Sequence, residues 1–266
     1  TAPTPPAGPA TVRLRGCVTT FGLDQDTHSG LEISFYRLAD GVDSTPLATV
    51  QSGQDMDVLG AGCPSGGAFD TAAEVIPTNT ALIVKVRDTR PSPEFVDTYV
   101  YGAVLWADRA SDVDGLQTIS EEVIVIAVTT YQVFPQTAGI TAGIEGSDDL
   151  QDGVGRGALA GTVYDCAGNA VANLRVGIDN MDEKRVVDAE GGVFGKLGFT
   201  DGVENPDPAR ETTNIDGLYA AINVKPGTRT LTLAAMRDGM ASEFATFQVP
   251  VFADSVTIFS PQGALP

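Results

Sequence analysis

The single histidine is the residue of this chain whose type most readily suggests catalysis. His28 is the one histidine among 266 residues, and a hydrolytic triad needs a histidine oriented beside a nucleophile. No G-x-S-x-G nucleophile elbow precedes a helical pattern in the sequence. Because His28 follows an Asp-rich segment, we expect an exposed loop histidine without a catalytic role. The sequence therefore predicts a protein that is not an enzyme and has no catalytic residues.

Two short segments place carboxylates at alternate positions, as calcium-binding loops do. They are DQDTH at positions 24–28 and DVDG at positions 112–115. Neither continues to the glycine at position six and the glutamate at position twelve that the EF-hand loop requires. We expect solvated turns, no metal site and no cofactor, with calcium as the alternative at these two places.

Three cysteines, Cys17, Cys63 and Cys166, show neither CxxC nor Cys/His spacing of a zinc site. In an exported chain we expect Cys17 to pair with Cys63, since both fall in the first half. Closing a loop of that size stabilises by about 4 kcal/mol in the chain-entropy model. Cys166 is then either unpaired or available for a disulfide to another chain.

Turn-forming residues and apolar–polar alternation predict the strands that must position these candidate residues. NIDG at 214–217 is a turn, because Asn, Asp and Gly accept left-handed backbone. A short strand follows, and then KPG at 225–227. Leu231 and Leu233 next alternate with threonines, which is the period of a half-buried strand. We predict a β-hairpin closed at residues 225–227.

A weaker copy of the same pattern occurs at residues 67–86. Its glycine and aromatic residue, Gly67 and Phe69, correspond to Gly217 and Tyr219, and its alternating strand corresponds to Leu231 and Leu233. Further upstream, GCV at 16–18 corresponds to GTV at 161–163. The next apolar alternation also corresponds, with Leu31, Ile33 and Phe35 matching Leu174, Val176 and Ile178. Blocks in the same order predict one fold used twice.

The composition divides the chain into two domains with an arm and a linker. Residues 1–10 are Pro-rich and extended; 11–140 form the first domain, 141–157 a Gly/Asp-rich linker and 158–266 the second domain. We expect VIVIAV at 123–128 inside a sheet and residues 180–210 as a surface excursion. Residues 129–138 fit either a strand or a helical turn.

The charge balance excludes several partners. Acidic residues number 35 against 16 basic ones, for a net charge of −19. Nucleic acid and anionic membrane surfaces would be repelled, and no apolar run is long enough to span a membrane. An acidic chain with only four lysines fits a secreted protein, so we expect an extracellular or cell-surface location after export.

Two segments carry a resemblance to a known family. GTVYDCAGNAVANLRV at 161–176, followed by TNIDGLYAAINVKPGTRTLTL at 213–233, resembles the carboxypeptidase regulatory-like domains, which share a transthyretin-like (prealbumin-type) fold. The first half keeps fewer of the motif residues. The resemblance implies an all-β chain of two consecutive Greek-key β-sandwich domains, in a bacterial extracellular protein. Such domains are accessory modules without catalytic residues.

Two functions of different classes fit these features. The first is a structural subunit that assembles with itself into a surface layer or filament, with the arm prolines Pro3, Pro5, Pro6 and Pro9 lying in a groove of a neighbour. The second is an adhesin or accessory module that binds glycan or peptide through residues 180–210 or exposed aromatic residues. The aromatic candidates Trp106, Tyr99 and Tyr101 lie in strand patterns, which predicts core packing instead.

Overall fold

Segments whose apolar and polar residues alternate in the sequence form strands in the structure. The computed structural model describes residues 5–21, 27–53, 63, 66–137, 144, 155–178, 197–200, 206–207, 212–213, 215–237 and 240–262. Apart from short helical segments these residues form strands and loops, so the all-β prediction is confirmed. The chain divides into two units, Thr1–Val128 and Thr129–Pro266.

The first unit contains nine strands among its described residues and a short 3-10 helix at Ala107–Arg109. The strands are β1 Thr11–Phe21, β2 Leu31–Arg37, β3 Ala48–Gln51, β4 Ala68–Asp70, β5 Ile76–Pro77, β6 Ala81–Asp88, β7 Phe95–Val104, β8 Ser111–Val113 and β9 Leu116–Ala127.

Two sheets enclose the core of this unit. Strands β3, β2, β6 and β7 pair antiparallel in that order. In the other sheet β1 pairs antiparallel with β4 and β5 and parallel with β9, while β8 forms a hairpin with β9. A short pairing of β7 with β9 joins the sheets at one corner. Apolar side chains from both sheets form one buried cluster that includes Leu14, Val18, Ile33, Phe35, Phe69, Val84, Val86, Ile119 and Val123.

The second unit opens with helix α1, Val128–Thr137, whose first residue ends the first unit. Its described strands are β10 Gly157–Thr162, β11 Leu174–Ile178, β12 Leu197–Thr200, β13 Pro206–Asp207, β14 Leu218–Val224, β15 Gly227–Arg237, β16 Met240–Val251 and β17 Ser255–Ile258. One sheet has the order β13, β12, β14, β10, β17, and the other the order β11, β15, β16.

The predicted hairpin at residues 225–227 is wrong, although both of its strands form. β14 pairs with β10 and β12, whereas β15 pairs with β11 and β16. The type I′ hairpin turn needs positive φ at both central residues, which Pro226 cannot adopt because its φ is fixed at a negative value. The chain therefore crosses from one sheet to the other at this point. The first unit does the same, because β5 pairs with β1 and β6 pairs with β2 and β7.

The internal copy extends to individual hydrogen bonds. The backbone N–H of Val18 donates to Gly67 O at 2.8 Å, and that of Val163 donates to Gly217 O at 3.0 Å. These four residues hold the positions that the sequence comparison paired. In both units, moreover, the first strand pairs antiparallel with the strand that follows this glycine and parallel with the last strand.

A second shared contact was not visible in the sequence. In the first unit, Leu31 N–H donates to Ser52 Oγ at 2.9 Å and Ser52 N–H donates back to Leu31 O at 2.9 Å. In the second unit, Leu174 N–H donates to Thr213 Oγ1 at 3.1 Å and Thr213 N–H to Leu174 O at 2.8 Å. In each unit, therefore, a serine or threonine hydrogen-bonds both backbone groups of the first residue of the equivalent strand.

Three further expectations have outcomes in the secondary structure. Residues 129–138, whose sequence fits either a strand or a helical turn, belong mainly to α1. Residues 180–210 were expected to be a surface excursion, but β12 and β13 form sheet pairs within that range. Val123, Val125 and Ile126 are buried, whereas Ile124 is 37 % exposed, so one apolar side chain of VIVIAV lies at the surface. No helix among the described residues has the length and apolar character needed to cross a bilayer.

Candidate functional site

The Pro-rich arm is hydrogen-bonded to its own chain in the structure. Its residues 5–10 are described, and Asn79 and Thr78, in the turn between β5 and β6, hold them. Asn79 Nδ2 donates to Pro6 O at 3.0 Å, and Thr78 Oγ1 donates to Pro9 O at 2.5 Å. Thr78 N–H also donates to Ala10 O at 3.1 Å. All three bonds use carbonyl oxygens of the arm, two of them on prolines, which have no N–H to donate.

Asn79 is itself fixed by three further features. Its φ is 50°, a left-handed value that asparagine tolerates better than most residues. Its N–H donates to Leu105 O at 2.7 Å, and its Oδ1 accepts the N–H of Ala107 at 3.1 Å. One asparagine side chain thus joins the turn, the 3-10 helix and the arm.

Close backbone contact also restricts which residue type can lie at position 8 of the arm. A Cβ on Gly8 would lie 2.6 Å from the carbonyl oxygen of Ala107 and 2.7 Å from its Cβ. Only a glycine lets the arm lie this close to the 3-10 helix. We name the surface formed by Thr78, Asn79, Leu105 and Ala107 the arm site.

These contacts change the picture of the arm that the sequence suggested. The described part of the arm is bound by its own chain, whereas the hypothesis placed Pro3, Pro5, Pro6 and Pro9 against a neighbour. Residues 1–4, which include Pro3, lie outside the described residues. Strand pairing begins at Thr11, which is opposite Pro77. A role of the arm in assembly stays a prediction.

The disulfide between Cys17 and Cys63 is present, with Cα atoms 5.3 Å apart. Arg13 and Arg15, which precede Cys17 on β1, form an ionic cluster with Asp70 of β4. Arg13 Nε donates to Asp70 Oδ1 at 2.7 Å, and Arg15 Nε is 3.6 Å from Asp70 Oδ2. Burial alone would raise the pKa of Asp70, but the hydrogen bonds from Arg13 and the backbone lower it overall. The carboxylate therefore stays ionised and ties β4 to β1.

Cys166 is exposed and free. It lies in a turn whose polar groups are used internally, since Asp165 Oδ1 accepts the N–H groups of Ala167 and Asn169, each at 2.8 Å. A disulfide from Cys166 to another chain stays a prediction.

His28 is not the exposed loop residue that the sequence predicts. Its side chain is fully buried, its ring centroid lies 5.4 Å from that of Phe95, and Nε2 is 2.5 Å from Thr20 Oγ1. The expectation failed because burial here depends on β7, which is far along the chain. His28 is therefore part of the packed interior.

A polar cluster beside His28 was not found from the sequence. Asp88, at the end of β6, has a fully buried side chain. It accepts Arg90 Nε at 2.8 Å, and the backbone N–H groups of Arg90, Glu94 and Phe95 at 3.1, 2.7 and 3.2 Å. Arg90 also pairs with Glu94 at 2.9 Å. The signal in the sequence was DTRPSPE at 88–94, an aspartate ahead of a Pro-rich turn, which suits side-chain capping.

The electrostatics of Asp88 follow from these contacts. Burial disfavours the ionised form and acts to raise the pKa, but the hydrogen bonds from Arg90 and from three backbone N–H groups outweigh it and lower the pKa overall. Asp88 is therefore a structural anion that fixes the turn between β6 and β7.

The proposed calcium segments differ in what the structure describes. Asp112 Oδ1 accepts the N–H of Gly115 at 3.0 Å, and Asp114 and Gly115 have φ values of 55° and 81°. This combination is a tight turn between β8 and β9. Asp24 and Asp26 lie outside the described residues. Within the described part of the chain, no three metal-ligating residues come together.

The aromatic candidates are divided between interior and surface. Tyr99 is buried as predicted, with Lys85 Nζ 5.2 Å from its ring centroid, and Tyr101 is half-buried. The prediction of core packing is wrong for Trp106, which is 40 % exposed. Trp106 is followed directly by Ala107 of the arm site, so this large apolar side chain is exposed at that end of the unit.

Comparisons with known proteins add little. No protein-family model and no curated protein sequence matches the chain. Among solved structures, the shaft pilin spaA from Lactobacillus rhamnosus GG is 14 % identical, with 96 % of this chain and 100 % of that chain covered and a TM-score of 0.25. The minor pilin GBS52 from Streptococcus agalactiae is 9 % identical, with 96 % and 97 % covered and a TM-score of 0.26.

A third solved structure, the Bacillus anthracis TIE protein, is 12 % identical over 95 % of this chain, with a TM-score of 0.23. The chain spans 34 % of the length of that protein. At such identities and TM-scores these similarities carry no argument about function.

Proposed function

We propose that the protein is a non-catalytic, extracellular structural protein that assembles with further copies of itself into a surface layer or filament. One observation carries the proposal: three described side chains of types that could do chemistry are used to hold the fold. His28 is buried against Phe95, Asp88 caps a turn, and Asn79 ties the arm to the 3-10 helix. A chain whose polar side chains hold its own fold in this way suits a structural role.

The disulfide supports the extracellular location. Disulfides such as Cys17–Cys63 form and persist mainly in oxidising compartments. The acidic composition is consistent with a secreted protein. We propose a location outside the cell or on its surface.

The duplicated topology supports the finer fold proposal. Each unit uses a first strand between an antiparallel and a parallel neighbour and crosses between sheets after a short strand. We propose that both are Greek-key sandwiches of the transthyretin-like, carboxypeptidase regulatory-like type. We also propose the domain limits 11–140 and 158–266 with a linker at 141–157, most of which lies outside the described residues.

The oligomeric state tests the structural proposal. The purified chain is concentrated stepwise, its mass is followed by light scattering, and the samples are imaged by electron microscopy. We expect ordered filaments or layers that grow with concentration. A chain that stays monomeric at every concentration contradicts self-assembly.

Exposed Trp106 favours a second candidate, an adhesin or accessory module that binds glycan or peptide. Exposed aromatic rings are typical of such binding surfaces. The test is a glycan and peptide array with the native chain and Trp106→Ala, with Tyr219→Phe as a control for a buried ring. Binding that is lost in Trp106→Ala alone supports this candidate, and the absence of any binding contradicts it.

A further inference from the structure

We propose that the arm site also accepts the N-terminal arm of a second copy, so that neighbouring subunits are joined by exchanged arms. The inference rests on the proposed self-assembly and names the partner and the contact. The second copy would place its own residues 6–10 where the cis arm lies, against Thr78, Asn79 and Ala107.

Hydrogen bonds that do not involve the arm hold the residues of the arm site in place. Asn79 is bonded to Leu105 O and to the N–H of Ala107, and Thr80 Oγ1 donates to Thr78 O at 3.0 Å. The site therefore keeps its shape when the arm leaves, which is the condition for rebinding the same segment from elsewhere.

The arm itself is held by few contacts. Of its described residues, Pro5, Ala7, Gly8 and Ala10 are exposed, while Pro6 and Pro9 are only half-buried. No side chain of residues 5–10 is buried, and the specific contacts are three hydrogen bonds and the Gly8–Ala107 approach. A segment with so little buried surface opens locally at low free-energy cost. The arm is therefore the exchangeable part.

Exchange of an identical segment between copies needs no new interface chemistry. The bonds made in cis and in trans are the same, which is why such swapping is an inexpensive route to oligomers. The arm continues directly from β1, where Thr11 is opposite Pro77, so the chain needs to turn only near Ala10. The exchanged residues 6–10 lie directly before this turn, so the arm sites of the two copies must lie side by side at a shared contact.

The geometry of the arm site selects this occupant over a general Pro-rich peptide. A glycine must face Ala107, with a proline carbonyl placed two residues before it for Asn79 and another directly after it for Thr78. The chain's own sequence Pro6-Ala7-Gly8-Pro9 supplies this order. A second copy always supplies it too.

A trans disulfide tests the proposal directly in the full-length chain. All variants carry Cys166→Ser. One chain carries Ala10→Cys and the other Thr78→Cys, because these residues are next in register after Thr11 and Pro77. Directly opposed antiparallel residues are about 5 Å apart at Cα, within disulfide range.

The two chains are mixed under assembly conditions and oxidised. We expect about tenfold more disulfide-linked heterodimer than from Ser111→Cys mixed with the same Thr78→Cys chain, because a docked arm raises the local thiol concentration. Ser111 is exposed and reports random collision. Heterodimer at the collision level overturns arm exchange.

A cis lock provides the second measurement. The double variant Ala10→Cys/Thr78→Cys closes a disulfide within one chain and should not assemble, whereas the matched variant Ala10→Ser/Thr78→Ser forms no lock, keeps Cys17–Cys63 oxidised and should assemble. If the locked chain assembles as well as the serine variant, arm exchange is wrong but the structural function stands. If neither the serine variant nor the native chain assembles, the proposed function itself fails.

A glycine substitution covers the case in which the cysteine variants do not fold. Gly8→Val cannot lie against Ala107 in either copy, and we expect the concentration needed for assembly to rise about tenfold. Ala7→Val, at an exposed neighbouring position, is the matched control and should assemble normally. Equal assembly of the two variants contradicts the proposal.

Discussion

Gly16 and Phe69 lie opposite each other on β1 and β4, and the ring of Phe69 occupies the space in which a Cβ on Gly16 would stand. Such a Cβ would be 2.5 Å from the ring and 2.1 Å from Glu121 O on β9. Gly161 and Tyr219 repeat the arrangement on β10 and β14, where a Cβ would be 3.2 Å from the ring. The same glycine–aromatic pair therefore sets the strand packing in both units.

The first prediction is that Gly16→Ala destabilises the first unit by about 3 kcal/mol, because a backbone oxygen and a packed ring must both move. Urea unfolding with the disulfide intact measures the change. Gly115→Ala is the control, since its φ of 81° is unfavourable but nothing lies within 4 Å; we expect about 1 kcal/mol there. Equal losses in the two variants would show that the close approach carries no cost.

The strands were predictable from sequence, whereas the sheet that each strand joins was not. Alternation at Leu231 and Leu233 depends on neighbouring residues only, and β15 forms where it predicts. The partner of β15 is decided by contacts with distant strands, which no local pattern contains. Pro226 is a local signal against a hairpin, because its fixed negative φ is incompatible with the type I′ turn.

The site residues divide in the same way. The arm was predictable because prolines specify extended backbone over a short range. Its binding by Thr78 and Asn79 was not, because that contact joins segments about seventy positions apart. His28 was misjudged for the same reason: its surroundings in sequence are polar, and its surroundings in space include Phe95.

The second prediction concerns Asp88 and acid. The folded-state pKa lies below the ordinary value of 3.8, so the ionised group stabilises the fold above that value and loses this contribution as the pH falls through the folded pKa. Asp88→Asn should cost about 2 kcal/mol at neutral pH, since it weakens the charge-assisted hydrogen bonds that the buried carboxylate accepts from Arg90 and from the backbone N–H groups.

Urea unfolding of the native chain and Asp88→Asn from neutral to strongly acid solution measures this dependence. The difference between the two should shrink once the solution falls below the ordinary pKa. Asp108→Asn, at an exposed aspartate, should show no such difference at any pH. A gap between native and Asp88→Asn that persists in strong acid would contradict the role of the charge.

The third prediction concerns the cysteines. Non-reducing peptide mapping should recover Cys17 joined to Cys63, with Cys166 alkylated or in an intermolecular link. Replacing Cys17 and Cys63 by serine should lower the unfolding free energy by about 4 kcal/mol, because the bond closes a loop with a sequence separation of 46. Cys166→Ser should leave it unchanged. Recovery of Cys166 joined to Cys63 within one chain would refute the pairing.

The fourth prediction separates the buried histidine from the loop histidine that the sequence suggested. His28→Ala removes the ring that contacts Phe95 and leaves Thr20 without its partner atom Nε2, so we expect a loss of about 3 kcal/mol in unfolding free energy. Ser120→Ala, at an exposed position of β9, should stay within about 0.5 kcal/mol of the native chain. If His28→Ala behaves like Ser120→Ala in urea unfolding, the histidine is not part of the interior. A large loss for His28→Ala alone identifies the residue as core, with packing as the reason for its presence.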